Sequence, residues 1–179
     1  VIVRDGHIIG EGFHARAGEP HAEAAALENC GNARGATLYA TLEPCNHHGR
    51  TPPCTQAILD AEISRVVIGH LDPDPRMQGK SVELLRKAGV EVEVCGEPDL
   101  LSSLERQNEQ FFRYMASGRP FVHVKLAMTL DGRIASGEGG GWITGEDARR
   151  RVHLLRAEAG AVLVGAGTVR ADDPRLDLS

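Results

Sequence analysis

The first 95 residues alternate between short β-prone runs and stretches of strong helix formers, and this order constrains the fold more than any other feature. Two apolar runs flank an Arg4-Asp5-Gly6 turn, which is typical of a β-hairpin. Helices and strands are then expected in alternation, with helices over 20–30, 52–61 and 80–88 and strands over 36–42, 65–69 and 90–94. This order predicts an α/β fold in which a layered sheet carries helices on both faces.

The residues after 98 are expected to form a connection and the opening of a second domain. The stretch from Leu100 to Met115 is polar with a few apolar positions and is predicted to be a connecting helix, within a connection over 99–118. A strand over 119–127, a helix over 145–158 and a strand over 160–165 would then begin a second α/β unit. The predicted division is therefore 1–98, 99–118 and 119–179, and about 60 residues is short for an independent domain.

Charge and hydropathy exclude several classes of function. Acidic residues outnumber Lys and Arg by 25 to 20 without any block of like charges, which argues against a nucleic-acid partner. No apolar stretch approaches the ~20 residues that cross a bilayer. Residues 1–5 lack the pattern of a signal peptide. We therefore expect no membrane partner and a cytoplasmic location, where four cysteines favour metal binding or catalysis over disulfides.

Three separate segments carry residue types that suit a catalytic zinc ion. They place His21 at a helix start, Cys45 after a strand, and Cys54 at the start of the next helix. One imidazole and two thiolates leave the fourth zinc position for water. Glu23 lies two residues after the histidine and could take a proton from that water and give it to a leaving amine. This is the H-x-E and Pro-Cys pattern of zinc deaminases.

Eight residues separate Cys45 from Cys54, where the general deaminase pattern has two. The longer segment would carry His47, His48 and Arg50 at the rim of the site. The two histidines are candidates for loop or phosphate contacts, or for the fourth ligand of a purely structural zinc ion. Arg50 is a candidate for binding a substrate phosphate, with exposure to solvent as the alternative.

Two aspartates, Asp72 and Asp74, lie among prolines just after the strand expected over 65–69. The carboxyl ends of strands form the edge at which α/β sheets bind ligands. The two side chains are therefore candidates for substrate contacts, with turn formation as the alternative role.

The segment His21-Ala22-Glu23, together with residues 41–54 (TLEPCNHHGRTPPC), closely resembles the bifunctional deaminase-reductase family of riboflavin biosynthesis. The similarity extends to residues 12–14 (GFH), 72–75 (DPDP), 125–137 (KLAMTLDGRIASG) and 142–145 (WITG). The resemblance implies a three-layer cytidine-deaminase-like domain over 1–98, followed by the start of a dihydrofolate-reductase-like α/β domain over 119–179. It also implies that the family's first helix precedes Val1 and that its reductase domain continues beyond Ser179.

The same resemblance implies two reactions. The first domain would use Zn²⁺, held by His21, Cys45 and Cys54, to remove hydrolytically the 2-amino group of a diaminopyrimidinone ribosylamine 5′-phosphate, with Glu23 moving the protons. The second would reduce the ribosyl chain to ribityl with NADPH. The residues implied for that domain are Ala127, Trp142, Thr168 and Asp172 for NADPH, Arg156 and Leu176 for the substrate, and Lys125 and Asp131 near the ribose. Core packing is the alternative role for Trp142, the single tryptophan.

Two other functions remain open from the sequence. A nucleoside or tRNA deaminase shares the H-x-E and Pro-Cys elements, although the eight-residue segment and the reductase-like second half disfavour it. A zinc-stabilised module without catalysis is the alternative from another class. Exposed apolar surface on the second unit is expected to promote self-association, so we predict a homo-oligomer.

Overall fold

The structure, a computed structural model, describes residues 1–135 and 141–177. The chain divides into two compact units, Val1–Val122 and His123–Ser179. Within the described residues, all of the β-sheet lies in the first unit.

The first unit is built on a five-stranded mixed sheet in the order β2-β1-β3-β4-β5. The strands are β1 (Ile2–Arg4), β2 (His7–Gly10), β3 (Thr37–Leu42), β4 (Arg65–His70) and β5 (Glu91–Val94). β1 pairs antiparallel with both β2 and β3, whereas β3, β4 and β5 run parallel. The predicted hairpin is confirmed, and both Asp5 and Gly6 have the positive φ angles that a tight turn between twisted strands requires.

Three helices cover one face of this sheet and bury the core. They are α1 (Ala22–Glu28), α2 (Cys54–Asp60) and α3 (Lys80–Lys87), each connecting two strands as the sequence predicts. Val66 and Ile68 alternate along β4 and are fully buried in one cluster with Ile58 of α2 and Leu85 of α3. Because side chains alternate between the faces of a strand, the residues between them face the opposite side of the sheet.

A fourth helix, α4 (Pro98–Gln107), packs on that opposite side. Leu104 is 8% exposed, and a Cβ added to Gly69 of β4 would lie 2.4 Å from its Cδ1 atom. Gly69 therefore allows the helix to approach the strand closely. Helices on both faces confirm the α/β layered architecture predicted from the sequence.

The single helix expected over 100–115 is wrong, because the structure has two helices there. α4 ends at Gln107, and α5 (Glu109–Ser117) begins after Asn108, whose φ of −119° departs from helical geometry. The break allows α4 to dock through Leu104 while Phe112 of α5 contacts the ring of His70 at a centroid distance of 4.6 Å. Tertiary contacts thus override a locally helical sequence.

The second unit contains α6 (Glu146–Glu158) and α7 (Ala166–Asp172), and α6 confirms the helix expected over 145–158. The strands expected over 119–127 and 160–165 do not form in the described residues. Their apolar patterns suit strands, but a strand needs a neighbour to satisfy its backbone hydrogen bonds, and neither segment is paired with one. Among the helices of the described ranges, none is long and apolar enough to cross a membrane.

Candidate metal centre

The carboxyl ends of the parallel strands β3 and β4 meet the amino ends of α1 and α2 at one edge of the sheet. His21 immediately precedes α1 and has an extended backbone, with φ −68° and ψ 163°. Cys45 follows the end of β3, and Cys54 is the first residue of α2. Pro53, just before α2, has a fixed φ and no N–H, which suits a helix start. This topology brings residues from distant parts of the sequence to the edge where α/β sheets bind ligands.

The three side chains predicted to hold zinc come together. The Nδ1 atom of His21 lies 3.4 Å from the Sγ atom of Cys45 and 3.3 Å from the Sγ atom of Cys54. Tetrahedral zinc, with bonds of about 2.3 Å to sulfur and 2.0 Å to nitrogen, places such ligand atoms about 3.5 Å apart. All three atoms lie within 4.8 Å of one another, and no other group of three or more His, Cys, Asp or Glu ligand atoms this compact occurs in the described residues. The donor set and its spacing therefore fit a zinc ion.

The thiols of Cys45 and Cys54 shift each other's pKa in opposite directions. The pKa of Cys45 is lowered to about 5, chiefly by a hydrogen bond from the Cys54 thiol, and the backbone N–H of Cys54 also donates to its sulfur at 3.3 Å. The pKa of Cys54 is raised, mainly because its thiol donates that same hydrogen bond. A cation bound between the sulfurs would replace the shared proton, because thiolates and not thiols ligate metals.

Glu23 lies in the first turn of α1, partly buried beside this cluster. Desolvation raises its pKa, and the charge of Cys45 raises it further, while its own backbone N–H and His21 act in the opposite direction. A carboxylate with a raised pKa is better matched to proton transfer near neutral pH than an exposed one.

An open cleft of about 440 Å³ leads to the cluster, and His21 and Cys45 form part of its wall. His47 and Arg50 from the segment between the two cysteines also line this cleft, as does His14. The compact ligand group includes neither His47 nor His48, and both of these side chains are exposed.

His14 is a further side chain of this cleft, for which no role is expected from the sequence. Its ring meets the ring of His21 edge-on at a centroid distance of 5.1 Å, and its Nδ1 atom lies 3.1 Å from the carbonyl oxygen of Pro20. The signal in the sequence that could have identified His14 is its place in the Gly12-Phe13-His14 segment, where a side chain able to hydrogen-bond follows soon after β2.

Asp72 and Asp74 lie in the loop after β4, where they stabilise the local turn. The backbone N–H of Asp74 donates to Oδ1 of Asp72 at 2.8 Å, and that of Arg76 donates to Oδ1 of Asp74 at 2.9 Å. The guanidinium of Arg76 also binds the Asp74 carboxylate and lowers its pKa to about 2. Desolvation raises the pKa of Asp72, and the hydrogen bond from the Asp74 backbone N–H opposes this more than the nearby His47 does. The structure therefore shows the turn-forming role and places His47 within electrostatic range of both aspartates.

The reductase-type candidates occupy separate elements of the second unit. Trp142 is 80% exposed, so it is not a core residue in this unit. The guanidinium of Arg149 lies over its ring, 4.6 Å from the ring centroid, in a cation–π contact. Arg156 of α6 donates to the carbonyl oxygen of Arg175 at 3.3 Å, which brings it next to the segment containing Leu176.

The remaining candidates of the second unit lie along its surface. The Thr129 hydroxyl donates to Asp131 and lowers the pKa of that carboxyl in a turn that Arg133 closes. The side chain of Lys125 is exposed and that of Ala127 is partly buried in the irregular segment before this turn. Two further candidates are the exposed residues Thr168 and Asp172, both on α7.

Two family models match separate parts of the chain. The model of the "Cytidine and deoxycytidylate deaminase zinc-binding region" matches residues 1–70. The model of the "RibD C-terminal domain" matches residues 120–178. The "Riboflavin biosynthesis protein RibD" of Aquifex aeolicus is 52% identical over 98% of this chain and 49% of its own length. The protein of the same name from Escherichia coli is 50% identical over 98% of this chain and 48% of its own length.

Two solved structures share the fold of the chain. RibD of Acinetobacter baumannii superimposes with a TM-score of 0.89 at 50% identity, over 98% of this chain and 49% of that one. A diaminohydroxyphosphoribosylaminopyrimidine deaminase/5-amino-6-(5-phosphoribosylamino)uracil reductase of Thermotoga maritima superimposes with a TM-score of 0.87 at 48% identity, over 97% of this chain and 50% of that one.

The fold and the ligand cluster define a zinc-binding deaminase domain of the cytidine and deoxycytidylate type, followed by a RibD C-terminal segment. Along almost its whole length the chain is similar to RibD, the riboflavin biosynthesis protein of these relatives. It spans about half the length of the curated relatives it matches.

Proposed function

We propose that the first unit is a zinc-dependent hydrolytic deaminase that acts on 2,5-diamino-6-ribosylamino-4(3H)-pyrimidinone 5′-phosphate. The observation that carries this proposal is the cluster of His21 Nδ1 with the sulfurs of Cys45 and Cys54, at 3.4 and 3.3 Å, beside the carboxylate of Glu23. Three protein ligands leave one tetrahedral position for water, which distinguishes catalytic from structural zinc sites.

The reaction exchanges the exocyclic amine of the pyrimidine for oxygen. A zinc ion held by His21, Cys45 and Cys54 would supply a Lewis-acidic centre that makes water acidic enough to ionise near neutral pH. Glu23 accepts the proton from the attacking water while a carbon–oxygen bond forms at the ring carbon that carries the amine and the π electrons of the ring C=N bond move onto the ring nitrogen. Glu23 then returns the proton to the amine nitrogen, the exocyclic carbon–nitrogen bond breaks as the ring C=N bond re-forms, and ammonia leaves. The raised pKa of Glu23 suits a group that must both accept and release a proton.

The cleft suggests which groups recognise the substrate. Arg50 and His47 line it and offer donors for a phosphate or for the polar edge of the pyrimidine. Asp72 and Asp74 lie within electrostatic range of His47 and are proposed to bind the same substrate. The name of the Thermotoga maritima relative, which specifies a phosphoribosylaminopyrimidine deaminase, supports this choice of substrate.

We propose that the second unit contributes to an NADPH-dependent reductase that converts the ribosyl chain to ribityl. Its match to the RibD C-terminal domain supports this role. The residues proposed for NADPH are Ala127, Trp142, Thr168 and Asp172, and those proposed for the substrate are Arg156, Leu176, Lys125 and Asp131. Trp142 offers an exposed aromatic face of the kind that can stack on a cofactor ring.

We further propose that the protein is a cytoplasmic homo-oligomer that binds neither nucleic acid nor membrane. Val122, Val124 and Leu126 expose 73%, 70% and 72% of their surfaces, and apolar exposure of this extent favours association. Sedimentation of the purified protein at several concentrations tests this proposal, and a monomer throughout would contradict it.

Ammonia release from the diaminopyrimidinone phosphate, compared with release from cytidine, tests the proposed activity. We expect release from the former only. Glu23→Gln should retain about one zinc ion per chain and lose ammonia release, because the amide cannot accept the proton. Glu28→Gln removes an equivalent charge from the exposed end of the same helix and serves as the matched control.

Other outcomes separate the alternatives. Release from cytidine would indicate a nucleoside deaminase. Zinc binding without ammonia release from either substrate would indicate a zinc-stabilised module. In that case Cys45→Ala should unfold the protein, because a structural zinc ion contributes folding free energy directly, whereas the loss of a catalytic ion should leave the fold intact.

A further inference from the structure

Glu43 is a buried carboxylate that neither the proposed mechanism nor the sequence interpretation uses. It lies two residues before Cys45 and is only 4% exposed. Its Oε2 atom accepts hydrogen bonds from the backbone N–H groups of Asp72 at 3.1 Å and Gly79 at 2.9 Å. Its Oε1 atom accepts from the backbone N–H of Ser81 at 3.0 Å. One side chain therefore holds both ends of the loop that follows β4.

Two further hydrogen bonds join the segment containing Glu43 to the elements on either side of this loop, the start of α3 and the end of β4. The hydroxyl of Ser81, which is fully buried, donates to the carbonyl oxygen of Pro44 at 2.5 Å. The backbone N–H of Glu43 donates to the carbonyl oxygen of His70 at 2.8 Å. The residues next to Cys45, the loop over 71–79 and the start of α3 thus form one hydrogen-bonded unit.

The chemistry of this contact requires a carboxylate. A buried carboxylate is costly unless its oxygens are hydrogen-bonded, and here three amide donors satisfy it, two of them from the first residues at the amino end of α3. A glutamine of the same shape has a single acceptor oxygen, and its NH₂ group would face backbone N–H groups at the other position. Replacement therefore leaves at least one buried donor without a partner.

The loop that Glu43 holds carries Asp72 and Asp74, and the Glu43 segment to which it is bonded leads directly into Cys45 in the wall of the cleft. We infer that Glu43 is a positioning residue, which fixes the loop over 71–79 relative to the Cys45 segment and thereby sets the affinity of the deaminase site for its substrate. This inference rests on the proposed function, while the hydrogen bonds that carry it are independent of any activity.

Glu43→Gln in the full chain tests the inference with two independent readouts. Hydrogen exchange of the Asp72, Gly79 and Ser81 amides should accelerate about tenfold, because charge-assisted bonds are lost. KM for the diaminopyrimidinone phosphate should rise about tenfold while kcat stays within about twofold, since the loss is in binding and not in the chemical step. Zinc content should stay at about one per chain. Glu28→Gln is the control and should change none of these quantities.

Ser81→Ala provides a second, milder variant if Glu43→Gln does not fold. It removes only the bond to Pro44 and should shift exchange and KM in the same direction by a smaller factor. Unchanged exchange and KM in the folded variants would overturn the inference. So would a fall in kcat or in zinc content at constant KM, because Glu43 would then act on the metal ligands. If the unmodified protein releases no ammonia, the proposed function fails, and exchange alone decides whether Glu43 holds the loop.

Discussion

Gly12 is the position at which a single added methyl group should disturb both the fold and the metal centre. A Cβ at this residue would lie 2.4 Å from the carbonyl oxygen of Ala22 and from the backbone nitrogen of Ala26. Both atoms belong to the backbone of α1 and cannot rotate away. Carbon contacts settle near 3.5 Å, so the first turn of α1 must move by about 1 Å. We expect Gly12→Ala to cost roughly 1–3 kcal/mol, the usual range for overpacking.

The same displacement should weaken metal binding. His21 immediately precedes α1, and its Nδ1 atom is placed 3.3–3.4 Å from the two sulfurs by the position of that helix. Zinc ligand distances tolerate changes of only about 0.2 Å, so a shift of about 1 Å has to be reversed at a free-energy cost whenever the ion binds.

Urea denaturation and competition with a chromophoric chelator measure the two effects. A loss of 1–3 kcal/mol corresponds to a midpoint lowered by about 1 M for a typical slope. Gly96→Ala is the matched control, because a Cβ there meets no atom within 4 Å, and it should be neutral or slightly stabilising. A Gly12→Ala protein with the midpoint and zinc affinity of the unmodified protein would refute the reasoning.

Two further predictions concern α4 and the loop after β4. Leu104→Ala should lower the free energy of unfolding by about 2–5 kcal/mol. The control Leu100→Ala, at a 47% exposed position, should change it by less than about 0.5 kcal/mol. Equal effects of the two substitutions in denaturant titrations would show that α4 does not dock. Arg76 lowers the pKa of Asp74 to about 2, so the stabilisation from this pair is present above the unfolded-state pKa and is lost as the pH falls through about 2. In Arg76→Gln, NMR titration should find the Asp74 midpoint shifted up towards its usual value near 3.9, and an unchanged midpoint would contradict this pairing.

The elements of the first unit could be predicted because their signals are local. The Asp5-Gly6 turn, the alanine-rich stretch of α1 and the apolar residues of β4 each specify their structure within a few residues. The candidate zinc ligands were recognisable for the same reason, since His21 and Cys54 stand at helix starts and Cys45 follows a strand.

Other features could not be read from local patterns. The apolar stretches over 119–127 and 160–165 suit strands, but a strand forms only where another strand pairs with it. The stretch over 100–115 is helical throughout by pattern, and its break at Asn108 follows from the docking of Leu104 on Gly69, a contact between distant parts of the chain.

The sequence by itself determined the order of strands and helices in the first unit and the identity of the residues that can hold and use a metal ion. Only the tertiary structure decided how close these residues come, which carboxyl groups have raised pKa values, and that Glu43 holds the loop bearing Asp72 and Asp74. The physical reason is the separation along the chain over which each effect acts. Propensity and residue chemistry act within a few positions, whereas ligand distances, burial and the partners of buried hydrogen-bonding groups depend on segments that meet only when the sheet has formed.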